Sequence, residues 1–247
     1  MADDDPSISD LLGGTAATHA QFDAALSTLR MDFQRIAHVD TLEVYGYEAL
    51  LRCNDAQLGQ PETFIEAAIH LGRLHELGRA IRAYLAGVIH LMPVHVHLFV
   101  NVHGGELDDE ELYATDSMLS RHAGRVVLEL TEHVRIDLDE GFEKIGRLRC
   151  VGYRVALDDY GTGHSELEAL IAFEPEIVKL DMTMIRGMDQ IPRRLKLVAA
   201  ITRFCNEVGI AVIAEGVETQ AELEACRACG IRLVQGYLVG RPTGQFA

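Results

Sequence analysis

The sequence predicts an α/β barrel: eight short strands alternating with helices and closed on themselves, one strand running against the rest. Three observations predict it. Short apolar runs recur along the chain, with helical patterns between most of them. Only a turn separates the first two runs, which makes that pair antiparallel, because a parallel crossover needs about a dozen residues or more. Nearly every run ends on a polar or charged residue, and a barrel enzyme carries its chemistry at the C-terminal ends of its strands. A length of 247 residues, 48% of them hydrophobic, suits one domain of this type.

Taken in order, the strands are expected over 32–39, 42–51, 94–101, 125–130, 154–157, 176–180, 211–214 and 233–235. Helical patterns cover 61–71 and 76–92, then 108–119, 139–150, 165–172, 189–208 and 219–229. Residues 1–20 are acidic, then rich in Gly, Ala and Thr. They read as a flexible acidic N-terminal tail or linker ahead of one domain over 21–247.

Bulk properties narrow the function. The formal net charge of −16 argues against a DNA or RNA polymer as partner, since such binding needs a basic surface. The longest candidate for a membrane span, 89–102, is broken by Pro93 and three histidines and is too short to cross a bilayer. The opening Met-Ala-Asp-Asp-Asp-Pro has no basic segment followed by an apolar one. A cytoplasmic protein that does not enter membranes is therefore expected. Five cysteines, an odd number, read as reduced thiols, and the Cys226/Cys229 C-x-x-C pair sits inside a helical pattern with no second pair to complete a zinc site.

The polar strand ends carry the functional signal. The runs end on Glu48, Asn101, Glu129, Asp158 with Asp159, Lys179 with Asp181, Glu215 and Gln235. Side chains alternate between the faces of a strand. Asp158, Lys179, Glu215 and Gln235 thus share a face with Ala156, Ile177, Ile213 and Leu233, and Asn101 shares one with Phe99, His97 and His95. Val94, Val96, Leu98 and Val100 form the apolar face toward the helices, so Asn101 points inward. His95 and His97 are expected deeper in the barrel, as hydrogen-bonded interior histidines. A single acid at a strand end is often a helix cap; seven ends converging on one mouth are a site. Carboxylates with one amide oxygen are hard ligands suited to Mg²⁺ or Mn²⁺. Two such ions about 3.5–4 Å apart activate a water and steady the leaving oxygen of a phosphodiester. Lys179 adds positive charge beside the nucleophilic water or the developing phosphorane. Gly161, Thr162 and Gly163 permit a sharp, mobile loop over the mouth.

These residues resemble a known family. Glu48-Ala-Leu-Leu-Arg52 is similar to the signature that names the EAL domain. The resemblance runs from about Phe33 to Pro242 and includes Asn101-Val-His, Glu129-Leu-Thr-Glu132, Asp158-Asp-Tyr-Gly-Thr-Gly163, Lys179-Leu-Asp181, Ala214-Glu-Gly-Val-Glu218 and Gln235-Gly-Tyr with Arg241-Pro242. It implies a TIM-like barrel with one antiparallel strand and a phosphodiesterase that hydrolyses cyclic di-GMP to the linear dinucleotide pGpG with two divalent ions, Mg²⁺ or Mn²⁺. By resemblance the metal ligands are Glu48, Asn101, Glu129, Asp158, Asp159 and Glu215. Glu48, Asp158, Asp159 and Lys179 carry the catalysis, with Lys179 orienting the nucleophilic water. Gln34, Leu50, Arg52, Asp181 and Gln235 contact substrate. Glu132 anchors the loop after Asp159 and Glu218 supports the site from behind. The family also implies a homodimer and sensory or signalling domains in a longer protein. Departures are Cys53 for the usual Trp, Arg35 for Pro, Tyr160 for Phe, and His164-Ser-Glu166 for a Tyr-Ser-Ser-like run. None removes a ligand.

Two other readings are distinguishable. A catalytically inactive cyclic di-GMP receptor would bind without product, although such domains usually lack some of the acids. A metal-free lyase using Lys179 as a Schiff base would be trapped by borohydride, but such a lysine needs an apolar pocket rather than six acids.

Overall fold

A computed structural model of the chain describes residues 17–131, 138–161 and 166–246. Eight strands close into a barrel in chain order: β1 (Arg30–His38), β2 (Val44–Arg52), β3 (His97–Val102), β4 (Val126–Thr131), β5 (Arg154–Tyr160), β6 (Ile177–Leu180), β7 (Ala211–Ala214) and β8 (Leu233–Gln235). β1 is antiparallel to both of its neighbours, β2 and β8, and the other pairs are parallel. The reversed strand is therefore β1. Its turn into β2 passes through Leu42 at a left-handed φ of 57°, so β2 begins at Val44, two residues later than expected.

The helices are α1 (His19–Ser27), α2 (Pro61–His70), α3 (Leu74–Val88), α4 (Leu138–Val151), α5 (Glu166–Phe173), α6 (Met182–Ile185), α7 (Pro192–Glu207) and α8 (Gln220–Ala228). α2 and α7 open on a proline at the first helical position, where φ is preset and the missing N–H costs nothing. α8 opens on a capping box between Thr219 and Glu222. α1 is an addition to the expected elements. It is capped by the Thr18 side chain, and its buried Phe22 meets Phe64 of α2 edge-on at 5.2 Å.

Two sequence expectations need correction. The helix expected over 108–119 is instead two short 3₁₀ segments, Gly104–Asp108 and Glu110–Tyr113. Asp109 is the reason. Its carboxylate caps the second segment through Glu111 N at 3.1 Å and takes Arg79 and Arg82 of α3 at 2.6 and 2.8 Å. A buried ionic network thus overrides a helical period. The third strand begins at His97 rather than at residue 94: Val96 N turns back onto the Pro93 oxygen at 3.0 Å, leaving Val94 82% exposed. His95 is accordingly exposed and outside the barrel, whereas His97 lies inside, its ring 4.9 Å from that of Tyr45.

Strand parity divides the apolar residues into two cores. The outward faces pack under the helices. The barrel interior holds a separate cluster of Ile36, Phe99, Val127, Ala156, Ile177, Ile213 and Leu233. This is the face on which the sequence places Asn101, Asp158, Lys179, Glu215 and Gln235, so a dry plug supports the polar mouth from below. Phe99 fills the space left by Gly46, where an added Cβ would lie 2.7 Å from the Phe99 ring. Phe99→Ala is expected to cost about 3–5 kcal/mol of stability by opening an interior cavity, measured by chemical denaturation; a loss below about 1 kcal/mol would show that the plug is not tightly packed.

Candidate active site

The strand ends bring their polar side chains to one point, and that point is Lys179. From β6 its Nζ lies 2.8 Å from Glu129 Oε1 on β4, 2.8 Å from Glu215 Oε1 just past β7, 2.9 Å from Asp158 Oδ1 on β5 and 3.4 Å from Glu48 Oε2 on β2. Lys179 is 1% exposed and Glu129 0%, so this is a desolvated cluster rather than a surface ion pair. Glu48 is further held by amides: Asn101 Nδ2 donates to its Oε1 at 3.1 Å and Gln235 Nε2 to its Oε2 at 2.5 Å. Gln235 Nε2 also reaches Gln34 Oε1 at 3.1 Å. Glu129 Oε2 and Gln235 Oε1 are buried without a hydrogen-bond partner among the described residues, which marks free donor oxygens inside the mouth.

Consecutive residues of a regular strand face opposite ways, yet Asp158 and Asp159 both serve the mouth. A β-bulge explains this. The β5–β6 register shifts between Leu157 and Tyr160, and Asp159 takes a left-handed φ of 54°. Aspartate tolerates that conformation better than most residues, and bulges re-aim side chains. Carboxylate oxygens of Glu48, Glu129 and Asp158 lie within 4.8 Å of one another, as do those of Asp158, Asp159 and Glu215. The two triads share Asp158.

Charge crowding separates the acids. Burial pushes Glu48 up, but the Lys179 ammonium and the hydrogen bonds from Gln235 and Asn101 outweigh it and hold the carboxyl below its ordinary value. Burial drives Glu129 well above the carboxylate range, Lys179 only partly offsetting it while Glu48 and Asp158 add repulsion. Burial likewise lifts Glu215 to about 8. Burial opposes the charge on Lys179, but Asp158, Glu129, Glu215 and Glu48 together raise its pKa far beyond the usual lysine value.

The remaining expected residues fall around the rim. Leu50 and Arg52 continue the inward face of β2 beyond Glu48, both half-buried. Arg52 Nε donates to Asp32 Oδ2 at 3.0 Å and its Nη1 to the Leu51 oxygen at 2.7 Å. Gln34 sits between Gln235 and the Gly240 oxygen, which its Nε2 reaches at 3.2 Å. Asp181 is engaged as the N-cap of α6, accepting from Thr183 N and Oγ1 at 2.8 and 2.5 Å. Glu218 is exposed and paired with Arg186. Glu132 and the loop residues Thr162, Gly163 and His164 lie outside the described residues.

Two structural residues were missed in the sequence. Asp32, on the inward face of β1, holds Arg52; nothing in a single sequence pairs those positions. Glu222 accepts from Gly187 N at 2.8 Å, Glu218 N at 2.9 Å and Thr219 N at 3.0 Å. It welds the loop after β7 to the one after β6, the two loops that follow Glu215 and Lys179. The Thr219-x-x-Glu222 spacing was the available signal.

Comparison with known proteins accords with this geometry. The EAL domain family model matches residues 19–242. The cyclic di-GMP phosphodiesterase RocR of Pseudomonas aeruginosa is 28% identical over 251 residues, covering 96% of this chain and 61% of that protein. Among solved structures, the PaMucR phosphodiesterase in complex with c-di-GMP superposes with a TM-score of 0.80 at 26% identity, covering 91% of this chain and 96% of the other. A manganese/c-di-GMP complex of BlrP1 from Klebsiella pneumoniae gives 0.76 at 30% identity, covering 87% and 56%. Three further curated relatives at 31%, 30% and 30% identity are much longer, and the chain spans 27%, 28% and 27% of their lengths. Among the described residues no helix is long and apolar enough to cross a membrane.

Glu222→Ala is expected to leave three backbone N–H groups without their acceptor and to lower stability by about 2–3 kcal/mol. Glu222→Gln, which keeps one carbonyl oxygen, should lose clearly less. Melting temperatures of the two variants check this; equal losses would mean that the carboxylate acts by packing alone.

Proposed function

Because the chain belongs to the EAL domain family, whose model matches residues 19–242, we propose that it is a metal-dependent, cyclic-guanylate-specific phosphodiesterase, a hydrolase that opens cyclic di-GMP to pGpG. One observation carries this reading: two carboxylate triads that share Asp158 around one buried lysine. The donor set fits a pair of divalent ions. Its oxygens are hard, as Mg²⁺ and Mn²⁺ require. The acids Glu48, Glu129, Asp158, Asp159 and Glu215 against the single ammonium of Lys179 leave four negative charges when all are ionised, the charge that two divalent cations balance. With Asn101, these five acids would hold the ions. When bound, the ions would supply Lewis acidity, lowering the pKa of water and drawing charge from the scissile phosphodiester.

The chain's own residues do the rest. Lys179 keeps four acids at fixed spacing and sets a permanent positive charge beside the reacting phosphate. Arg52, already oriented by Asp32, presents a planar donor fork at the rim suited to a phosphate. Gln34, Leu50, Asp181 and Gln235 border the space for the rest of the dinucleotide. Glu218 ties the loop after β7 to Arg186, and Glu132 is proposed to anchor the loop after Asp159. The reading extends to a cytoplasmic homodimer, joined to sensory or signalling domains, since the chain spans only 27% and 28% of the length of two of its relatives.

Incubation of the purified chain with cyclic di-GMP and Mg²⁺ or Mn²⁺ should yield pGpG, identified by chromatography and mass. Excess chelator should abolish the product. Glu48→Ala and Asp158→Ala should each reduce turnover by about a hundredfold or more through displaced ligands. Full turnover in chelator ends the metal reading, and tight binding of cyclic di-GMP without product makes the chain a receptor.

Acid should compete with the metal. Burial raises Glu129 and lifts Glu215 to about 8, so the metal-free site carries protons at neutral pH that a cation must displace. Metal affinity should therefore rise with pH through the region near 8 and fall below it. Calorimetry at pH 7 in two buffers of different ionisation enthalpy should show proton release on Mg²⁺ or Mn²⁺ binding; identical heats in both buffers would contradict it.

A further inference from the structure

Asn101 stands near a strand end that is held more firmly on one side than on the other. β3 pairs with β4 through Val102, but with β2 only as far as Val100. The Asn101 amide nitrogen is engaged by Glu48 at 3.1 Å, which leaves the amide oxygen as the donor for a cation. Whatever fixes the chain just past Val102 therefore fixes that oxygen.

The restraint comes from α3. His103 leaves the strand as the cap of the first 3₁₀ segment. Glu106 Oε1 accepts from His103 N at 3.1 Å, and His103 Nδ1 accepts from Gly105 N at 3.0 Å. Glu106 Oε2 in turn takes Arg82 Nη1 of α3 at 2.6 Å. Both side chains are buried, with Glu106 6% and Arg82 7% exposed. One helical turn before Arg82, on the same face, stands Gly78. A Cβ there would overlap the Glu106 carboxylate, lying 2.5 Å from its Cδ and 2.9 Å from Arg82 Nη1. The helix thus opens a notch for the carboxylate and closes an ion pair over it. A buried ion pair adds little net stability, because desolvation offsets its attraction, but it does fix where its members lie. What this one fixes is the first backbone N–H after β3.

We propose that Glu106, seated in the Gly78 notch and clamped by Arg82, is a positioning residue for the metal site: through His103 N it sets the place of Asn101 and of the amide oxygen offered to the cation. This role rests on the metal-dependent reading above and belongs to residues outside the acidic cluster. Groups that orient a ligand from behind change metal affinity by about ten- to a hundredfold when removed. The neighbouring Arg79 has a different task. It is half-exposed and pairs with Asp109 and Glu111 at 2.6 and 2.9 Å rather than with Glu106.

Calorimetry of Mn²⁺ binding without substrate reads ligand placement apart from turnover. Glu106→Ala and Gly78→Ala should each weaken binding about tenfold. Gly78→Ala removes no charge, and alanine favours a helix over glycine, so a loss there comes from the displaced carboxylate. Asn101→Ala should weaken binding too. Adding Glu106→Ala to it should bring no more than about a further twofold loss, because residues that act through one another are not additive. Arg79→Ala should lower the melting temperature yet keep Mn²⁺ affinity within about twofold of the parent. Unchanged affinity in Gly78→Ala, a full additive loss on top of Asn101→Ala, or an equal loss in Arg79→Ala overturns the assignment. A parent chain that binds no Mn²⁺ overturns the metal-dependent reading instead, and NMR of the metal-free chain then decides the role of Glu106. The Asn101 side-chain amide signal, identified by its loss in Asn101→Ala, should shift in Gly78→Ala and hold in Arg79→Ala; a signal that stays in place in Gly78→Ala overturns the positioning role.

Discussion

The mouth of this barrel depends on one buried ammonium. Four carboxylates within 3.4 Å of Lys179 Nζ could not share a desolvated pocket without a cation among them. Lys179 is that cation, and it is supplied by the chain. It allows the acids to be gathered before any metal arrives, because each carboxylate gains an ion pair that offsets part of its burial. The compensation is incomplete by design of the count: one ammonium faces several acids. Glu48, with two amide donors, stays ionised, while Glu129 and Glu215 are pushed toward protonation. The site is thus folded around a lysine and left short of positive charge, which is the condition for binding divalent cations.

Everything around the mouth serves to keep its loops from relaxing that crowding. The dry interior cluster under the acids prevents the side chains from sinking, and Phe99 fills the room that Gly46 leaves. Glu222 ties three amides from the loops after β6 and β7. On the other side, Glu106 accepts from His103 N at 3.1 Å, two residues beyond Asn101, and is itself held by the buried Arg82 at 2.6 Å. These contacts come from elements distant in sequence, so the geometry of the acidic cluster is a property of the closed barrel rather than of any one segment.

The opposite end of the barrel is built for stability instead. Tyr45, beside the β1–β2 bulge, meets His97, Phe99 and His38, and Arg154 Nη1 donates to its hydroxyl at 3.1 Å. Burial and the nearby Arg154 hold His97 down at about 4, so it is a neutral ring in this plug. This division, chemistry at the C-terminal strand ends and packing at the N-terminal ends, is the usual economy of barrel enzymes. Away from both ends, on α8, Cys226 is a free, buried thiol that burial pushes up to about 12.

The sequence by itself determined the barrel, the reversed strand and most of the site. Period-two alternation fixes which side chains share a face, so Asn101, Asp158, Lys179, Glu215 and Gln235 could be assigned to the interior from local order alone. The short turn after Val39 forces antiparallel pairing for the same local reason. What the sequence could not give depends on contacts between residues far apart in the chain. Asp109 is drawn from a helical pattern into a cap by Arg79 and Arg82; Asp159 is brought into the mouth by a bulge in its pairing with β6; Asp32 orients Arg52 across two strands. The capping bond that Asp181 accepts from Thr183 N likewise appears only once the loop after β6 is folded. Local periodicity is a property of one segment, whereas ion pairing, bulge position and loop anchoring are settled by which segments meet, and only the closed tertiary structure decides that.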